Sequence, residues 1–227
     1  MIRKILSAPY YRIRHALAAW TWRIRNRITG HPGRPEAPPN TTTLEFLATT
    51  GCKNIAEIGV EWGSTSKEIA KWLEGKGVLH LFDYEDRVKL VAERLRQAGF
   101  TNIVGHGNSR RTLDSYNWSL MEILRDGNVP AFDYVFLDGA HTWPIDALAF
   151  FLIDRLLAPG GYLDFDDYDW TIDSSPTVNP RVYPPMRRLY TEEQMRSQQV
   201  ALVVNLLVRK GGNYEELVPN KIFRKRS

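Results

Sequence analysis

Two short strings hold the residues best suited to chemistry. The first reads Val135-Phe136-Leu137-Asp138-Gly139-Ala140-His141, the second Leu163-Asp164-Phe165-Asp166-Asp167-Tyr168. Each is an apolar run of strand type that ends in carboxylates. If the two runs are neighbouring parallel strands, Asp138, Asp166 and Asp167 converge. Carboxylates brought together repel one another and raise a pKa. A hard divalent ion such as Mg²⁺, with oxygen ligands at about 2.0–2.1 Å, relieves that repulsion and keeps positions open for water or a substrate oxygen. His141, three residues past Asp138, is placed to act as a general base near neutral pH. Asp164 and Asp169 are read as caps or solvated loop acids.

A second set surrounds these. Glu57-Ile-Gly59-Val-Glu-Trp-Gly63-Ser64-Thr65-Ser66 joins an apolar run to a helical pattern. Glycines at 59 and 63 let a backbone pass close to a ligand, and the helix start at Ser64 offers unpaired N–H groups. Glu57 is an acceptor for a cationic amino group. The string lacks the lysine of a phosphate loop at the required spacing. Asp83 closes the next apolar run and is suited to accept both hydroxyls of a ribose; Glu85 is a weaker candidate for the same work. Gly107-Asn108-Ser109 offers amide and hydroxyl groups to an adenine edge, although turn chemistry explains it equally well.

These residues need a scaffold that gathers strand ends. The pattern predicts strands at Asn54–Ile58, 78–82, 102–105, Phe132–Leu137 and 162–165. Helices are predicted at 64–74, at 86–98 with Asp86 as N-cap, within 113–124, and at 144–157. Pro144 suits the first turn of the last helix, and Gly160-Gly161 is read as its end. Such alternation means a doubly wound α/β fold, a parallel sheet with helices on both faces. Its ligands lie beyond the carboxyl ends of the strands. Residues 200–209 read as a β-rich run and 220–224 as its antiparallel partner across the 211–213 turn.

Glu57-x-Gly59-x-x-x-Gly63, the acid at Asp83, Val-Phe-Leu-Asp138 and Leu-Ala-Pro-Gly160-Gly161 together resemble the class I S-adenosylmethionine-dependent methyltransferases. Asp138-Gly-x-His141 followed by Asp166-Asp167 is similar to their metal-dependent small-molecule O-methyltransferase branch, above all to enzymes modifying macrolide sugars. The resemblance spans roughly residues 43–227. It implies a Rossmann-like seven-stranded sheet in the order 3-2-1-4-5-7-6, with the last strand pair antiparallel. It also implies a cofactor site at Glu57, Gly59, Gly63, Ser64, Asp83, Asn108, Ser109 and Asp138, metal ligation by Asp138, Asp166 and Asp167, and catalysis by His141 with Asp138. The middle glycine of the usual G-x-G-x-G is Glu61 here. The implied reaction is Mg²⁺-assisted methylation of a hydroxyl on a small molecule or saccharide. A binding protein that keeps the fold without turnover, and a metal-independent methyltransferase acting on nitrogen, are the alternatives.

Charge is unevenly spread. Of a net charge of +4, seven positive charges lie in the first 30 residues, which contain no acid, so the remainder is net acidic. That balance argues against a nucleic-acid partner. Ile13, Leu17, Trp20, Ile24 and Ile28 form one helical stripe flanked by arginines, a basic amphipathic extension over residues 1–29. It suits an anionic membrane face, or equally packing on the body or on a partner subunit of a homo-oligomer. Residues 30–42 read as a Pro/Gly-rich linker. No run is long enough to span a membrane and no signal peptide is visible. The single cysteine, Cys52, fits a reducing compartment and a buried position. The expected location is the cytoplasm, with peripheral attachment at the inner membrane face as an extension of the helix reading. Trp143, Tyr168, Trp170, Tyr183 and the 171–185 segment are read with equal weight as an aromatic lid over the acceptor and as ordinary loop packing.

Overall fold

The protein is described from a computed structural model, over residues 37–127 and 129–227. The predicted N-terminal helix and most of the linker lie outside the described residues. A seven-stranded sheet runs in the order β3-β2-β1-β4-β5-β7-β6. Its strands are β1 (Asn54–Ile58), β2 (Val78–Tyr84), β3 (Ile103–Asn108), β4 (Phe132–Leu137), β5 (Leu157–Phe165), β6 (Tyr214–Val218) and β7 (Ile222–Lys225). β1 to β5 pair in parallel; β7 is antiparallel to both β5 and β6. The central strands are buried on both faces: in β1 every residue but Asn54 is buried. That is why they read as continuous apolar runs and not as alternating ones.

Two apolar layers cover the sheet. One packs α1 (Thr41–Leu47), α2 (Ser64–Leu73) and α3 (Glu85–Gln97) through residues such as Leu47, Ile69 and Val91. The other packs α4 (Tyr116–Arg125), α5 (Trp143–Leu156) and the helical segment 199–209 through Leu120, Ile153 and Val204. Among the described residues no helix is long and apolar enough to cross a membrane. Cys52 belongs to the first layer, and burial pushes its thiol up to about 11.

Several expectations are corrected. Residues 200–209 are helical: after α6 (Met186–Leu189) and α7 (Glu192–Arg196), α8 (Gln199–Val203) continues into a π-helical turn, Val204–Arg209. A run rich in valine and leucine fits either period. Packing selects the helical one, burying Val200, Val203, Val204 and Val208 and leaving Leu202 and Leu206 partly open. The strand that pairs with β7 is therefore Tyr214–Val218. Asp86 is not the N-cap of α3; Tyr84 holds that position, and Asp86 pairs with Arg110 at 2.8 Å. Gly160 and Gly161 lie inside β5, which starts directly at Leu157 where α5 ends. Pro144 does occupy the first turn of α5. The unit Pro38–Ser227 is compact by itself, and Asn40, at the C-terminal end of the predicted linker, caps α1.

Candidate active site

Strand register fixes the site. Leu137 pairs with Phe165 and Ile58 with Leu137, so the residues following β1, β4 and β5 emerge side by side. At the tip of β4, His141 Nε2 lies 3.5 Å from Asp138 Oδ1 and 3.6 Å from Asp167 Oδ2. One ligand atom from each of Asp138, His141 and Asp167 falls within 4.8 Å of the others, a geometry able to hold a metal ion. His141 (φ +54°) and Asp167 (φ +56°) are both left-handed, a backbone region unfavourable for residues with a Cβ. Two such residues in one three-residue cluster mark a place where the fold holds side chains against local preference.

Asp138 keeps 34% of its side chain open to the crevice and is otherwise enclosed by protein. That enclosure, and then the charges of Asp166, Asp167 and Glu57, push its carboxyl well above the usual range, with Lys221 opposing them. Asp166 is engaged elsewhere. Its Oδ1 accepts a hydrogen bond from Asn40 Nδ2 at 3.0 Å and faces Lys221 Nζ at 3.5 Å. The structure thus brings Asp138, His141 and Asp167 into one cluster and turns Asp166 toward a lysine and an asparagine.

On the neighbouring strand, Glu57 is 2% exposed and its Oε2 is buried without a hydrogen-bond partner. Burial, and to a lesser degree the charge of Asp83, pushes its carboxyl up to about 8. A buried acceptor without a donor fits a cationic group that completes it. Gly59 and Gly63 are both left-handed, and protein neighbours demand them. A Cβ at Gly59 would lie 1.8 Å from the Asp138 carbonyl oxygen, and one at Gly63 2.6 Å from Val91. Gly63 is the N-cap of α2, which Ser64 opens. Asp83 Oδ2 accepts from the Val60 and Glu61 amides at 3.1 and 3.2 Å, and Oδ1 from the Tyr84 amide at 2.6 Å. The carboxylate therefore shapes the glycine loop. Asn108 is buried at the end of β3, its Nδ2 donating to the Ser109 carbonyl; the Ser109 amide is held by Asp114 at 2.6 Å.

Sequence reading missed several residues here. Asp164, read as a cap or loop acid, is fully buried: its Oδ2 accepts from Thr43 and Tyr134, each at 2.7 Å, and Lys221 Nζ lies 2.9 Å from Oδ1. Lys221 and Asn40 reach the site through the β5–β7 register and the start of α1, contacts without a local signal. Of the candidate lid residues, Trp170 places its ring 5.4 Å from that of His141. Tyr168 is instead tied into the body, its hydroxyl accepting from Asn205 Nδ2 at 3.0 Å. Trp143 is 37% exposed at the start of α5. In the 171–185 segment Tyr183 is half-buried, and Ile172 and Ser175 are buried, so that stretch is anchored.

Residues 56–168 match the model of a methyltransferase domain family. Among solved structures, the chain is similar to the O-methyltransferase TomG from Streptomyces achromogenes, in complex with SAM (21% identity, 89% of this chain and 86% of that one, TM-score 0.56). It is similar to an O-methyltransferase from Bacillus cereus in complex with SAH (17%, 91% and 89%, TM-score 0.58). It is also similar to the SAH-bound Podospora anserina methyltransferase PaMTH1 (16%, 82% and 76%, TM-score 0.55). At these identities the likeness establishes the fold. No curated protein matches the chain.

Proposed function

Since residues 56–168 and the strand order make this chain a class I S-adenosylmethionine-dependent methyltransferase, we propose that it methylates a hydroxyl oxygen of a small molecule or saccharide with the help of a divalent ion. One observation carries the reading: the Asp138–His141–Asp167 cluster stands at the strand tips, beside the strand that carries Glu57, whose Oε2 is buried without a hydrogen-bond partner. Such an arrangement suits a sulfonium amino acid on one side and an activated hydroxyl on the other.

S-adenosylmethionine supplies a methyl group already activated on sulfur, and a divalent ion such as Mg²⁺ supplies the charge that lowers the acceptor hydroxyl's pKa. Glu57 holds the amino group and Asp83 offers its remaining lone pairs to the ribose. Asn108 and Ser109 meet the adenine, with Gly59, Gly63 and Ser64 forming the floor. Asp138 and Asp167 hold the ion, with Asp166 completing the set from its place beside Lys221. His141 takes the acceptor proton at Nε2, oriented by the carboxylates on either side. Alignment of oxygen with the methyl carbon is the remaining contribution. Retention of this whole set weighs against a binding protein without turnover, and an acid cluster weighs against a nitrogen acceptor, which needs no metal.

Lys221 favours a second reading, in which its ammonium supplies the neutralising charge and His141 works without a metal. Calorimetry with S-adenosylmethionine, with and without Mg²⁺, separates these. Cofactor binding and Mg²⁺-dependent S-adenosylhomocysteine release are expected; full activity in excess EDTA removes the ion, and absent cofactor binding removes the whole proposal. Glu57 adds a signature. Its carboxyl, at about 8, is mostly protonated at pH 7, and a cationic partner draws it down. Cofactor binding near pH 7 is therefore expected to release on the order of one proton, read from the buffer dependence of the heat.

A basic segment at residues 1–29 supports attachment to an anionic membrane face from the cytoplasmic side. Flotation of the full chain with anionic liposomes, lost on removal of residues 1–29, is the expected result. Sedimentation of the same two proteins tests the homo-oligomer reading.

A further inference from the structure

We propose that Tyr116 and Asp146, which belong to no cofactor or metal set, are the positioning pair that holds His141 in its working conformation; this rests on the reading of His141 as the base. Tyr116 is the first residue of α4 and Asp146 lies in the first turn of α5; they are 7% and 2% exposed. The Tyr116 hydroxyl donates to Asp146 Oδ1 and accepts from the Ala140 amide at 3.2 Å. Asp146 Oδ2 accepts from the Thr142 amide at 3.0 Å. The backbone amides on either side of His141 thus end on one hydrogen-bonded pair, and the residue between them is left-handed at φ +54°.

Three details separate this from ordinary core satisfaction. Thr142 is the N-cap of α5, yet its side chain makes no capping bond and its Oγ1 is buried without a partner. Asp146 reaches back past the helix start and grips the amide of Thr142 itself. Gly139 fits the same plan: a Cβ there would lie 2.6 Å from the Tyr116 oxygen and 2.9 Å from its ring, so the tyrosine fills the space beneath the loop. Finally, Asp146 is a carboxylate kept in the interior, where burial raises its pKa and the charge of His141 is among the influences that lower it. A phenylalanine and an apolar residue would fill the same volume without a desolvation cost. What the polar pair adds is direction for two amides.

The test uses the full chain labelled with ¹⁵N-histidine and reads the imidazole nitrogens by long-range ¹H–¹⁵N correlation, His141 being assigned by its loss in His141→Gln. Tyr116→Phe removes both bonds to the hydroxyl, Asp146→Asn keeps an acceptor for Thr142 and disturbs the tyrosine arm, and Gly139→Ala presses on Tyr116 from the loop side. Each is expected to shift or split the His141 signals while those of His80 and His106 stay in place. S-adenosylmethionine affinity is expected to hold within about twofold, and turnover to fall about 10–100-fold, the scale of a misplaced catalytic group. Unchanged His141 signals in the variants that fold would overturn the proposal, as would loss of cofactor affinity in step with turnover. If His141→Ala leaves methyl transfer intact, the base reading fails while the ring signals still judge the pair.

Discussion

Three histidines among the described residues occupy two environments, and the contrast shows what makes one of them chemical. His80 on β2 and His106 on β3 face each other, Nδ1 to Nε2 at 3.0 Å, with rings stacked at 5.3 Å. His106 also lies on Phe82 at 4.3 Å, and Phe132 meets His80 edge-on. Partial burial, and for His80 also the neighbouring imidazole, pushes both down to about 4, so they are neutral at pH 7 and act as stacked aromatic rings. His141 is likewise mostly enclosed, at 17% side-chain exposure, but its Nε2 points at two carboxylates and its backbone is held left-handed. The ring is the same. Only the second setting gives it a charge partner.

The sharpest way to break this contrast is to remove each ring in turn. His141→Ala is expected to leave S-adenosylmethionine affinity in place and slow turnover by about 10²–10⁴-fold, the range of a lost general base. S-adenosylhomocysteine release from a pool of phenols and saccharides provides the readout. His80→Phe and His106→Phe should leave that rate within about twofold. An unchanged rate in His141→Ala takes the residue out of the chemistry.

Next in size is the effect on a divalent ion. Asp167 borders His141 directly, whereas Asp166 already has Asn40 and Lys221 as partners. Asp167→Asn is therefore expected to weaken Mn²⁺ binding about 10²-fold and Asp166→Asn about tenfold, read by electron paramagnetic resonance. The reverse order would restore Asp166 as the stronger ligand and assign Lys221 a role that metal binding displaces.

The two regions also differ in how far the sequence discloses them. Asp138, His141 and Asp167 are legible because each closes or follows an apolar run, and parallel strands deliver their ends to one edge. Five parallel strands and the helices between them follow from the same periodicity. His80 and His106 give no such signal. They stand inside strands, and their pairing depends on the β2–β3 register. Asn40, Tyr116 and Lys221 are hidden for a related reason: each reaches the site across long sequence separations, through contacts that exist only after the sheet is assembled. The valine-rich 199–209 segment misleads because β-branched composition mimics a strand until a neighbouring helix selects a helical course.

The smallest expected effect is thermodynamic and concerns the half-buried His80–His106 pair. An imidazole near 4 in the folded state and about 6.5 when unfolded binds protons more tightly in the unfolded chain. Its neutral form therefore contributes stability that is complete above pH 6.5 and is lost as pH falls toward 4. By pH 5 the loss is about 2 kcal/mol for each imidazole that must charge. The raised carboxyls of Glu57, Asp138, Asp146 and Asp164 act in the opposite sense, since the folded state holds their protons more tightly. The wild-type profile is thus a balance, and the difference between it and a His80→Phe/His106→Phe double variant isolates the pair. Urea unfolding between pH 7.5 and 5 should show the variant less acid-sensitive by that amount. An equal slope in both proteins would mean that the fold does not hold the two rings neutral, and the contrast between the two settings would collapse.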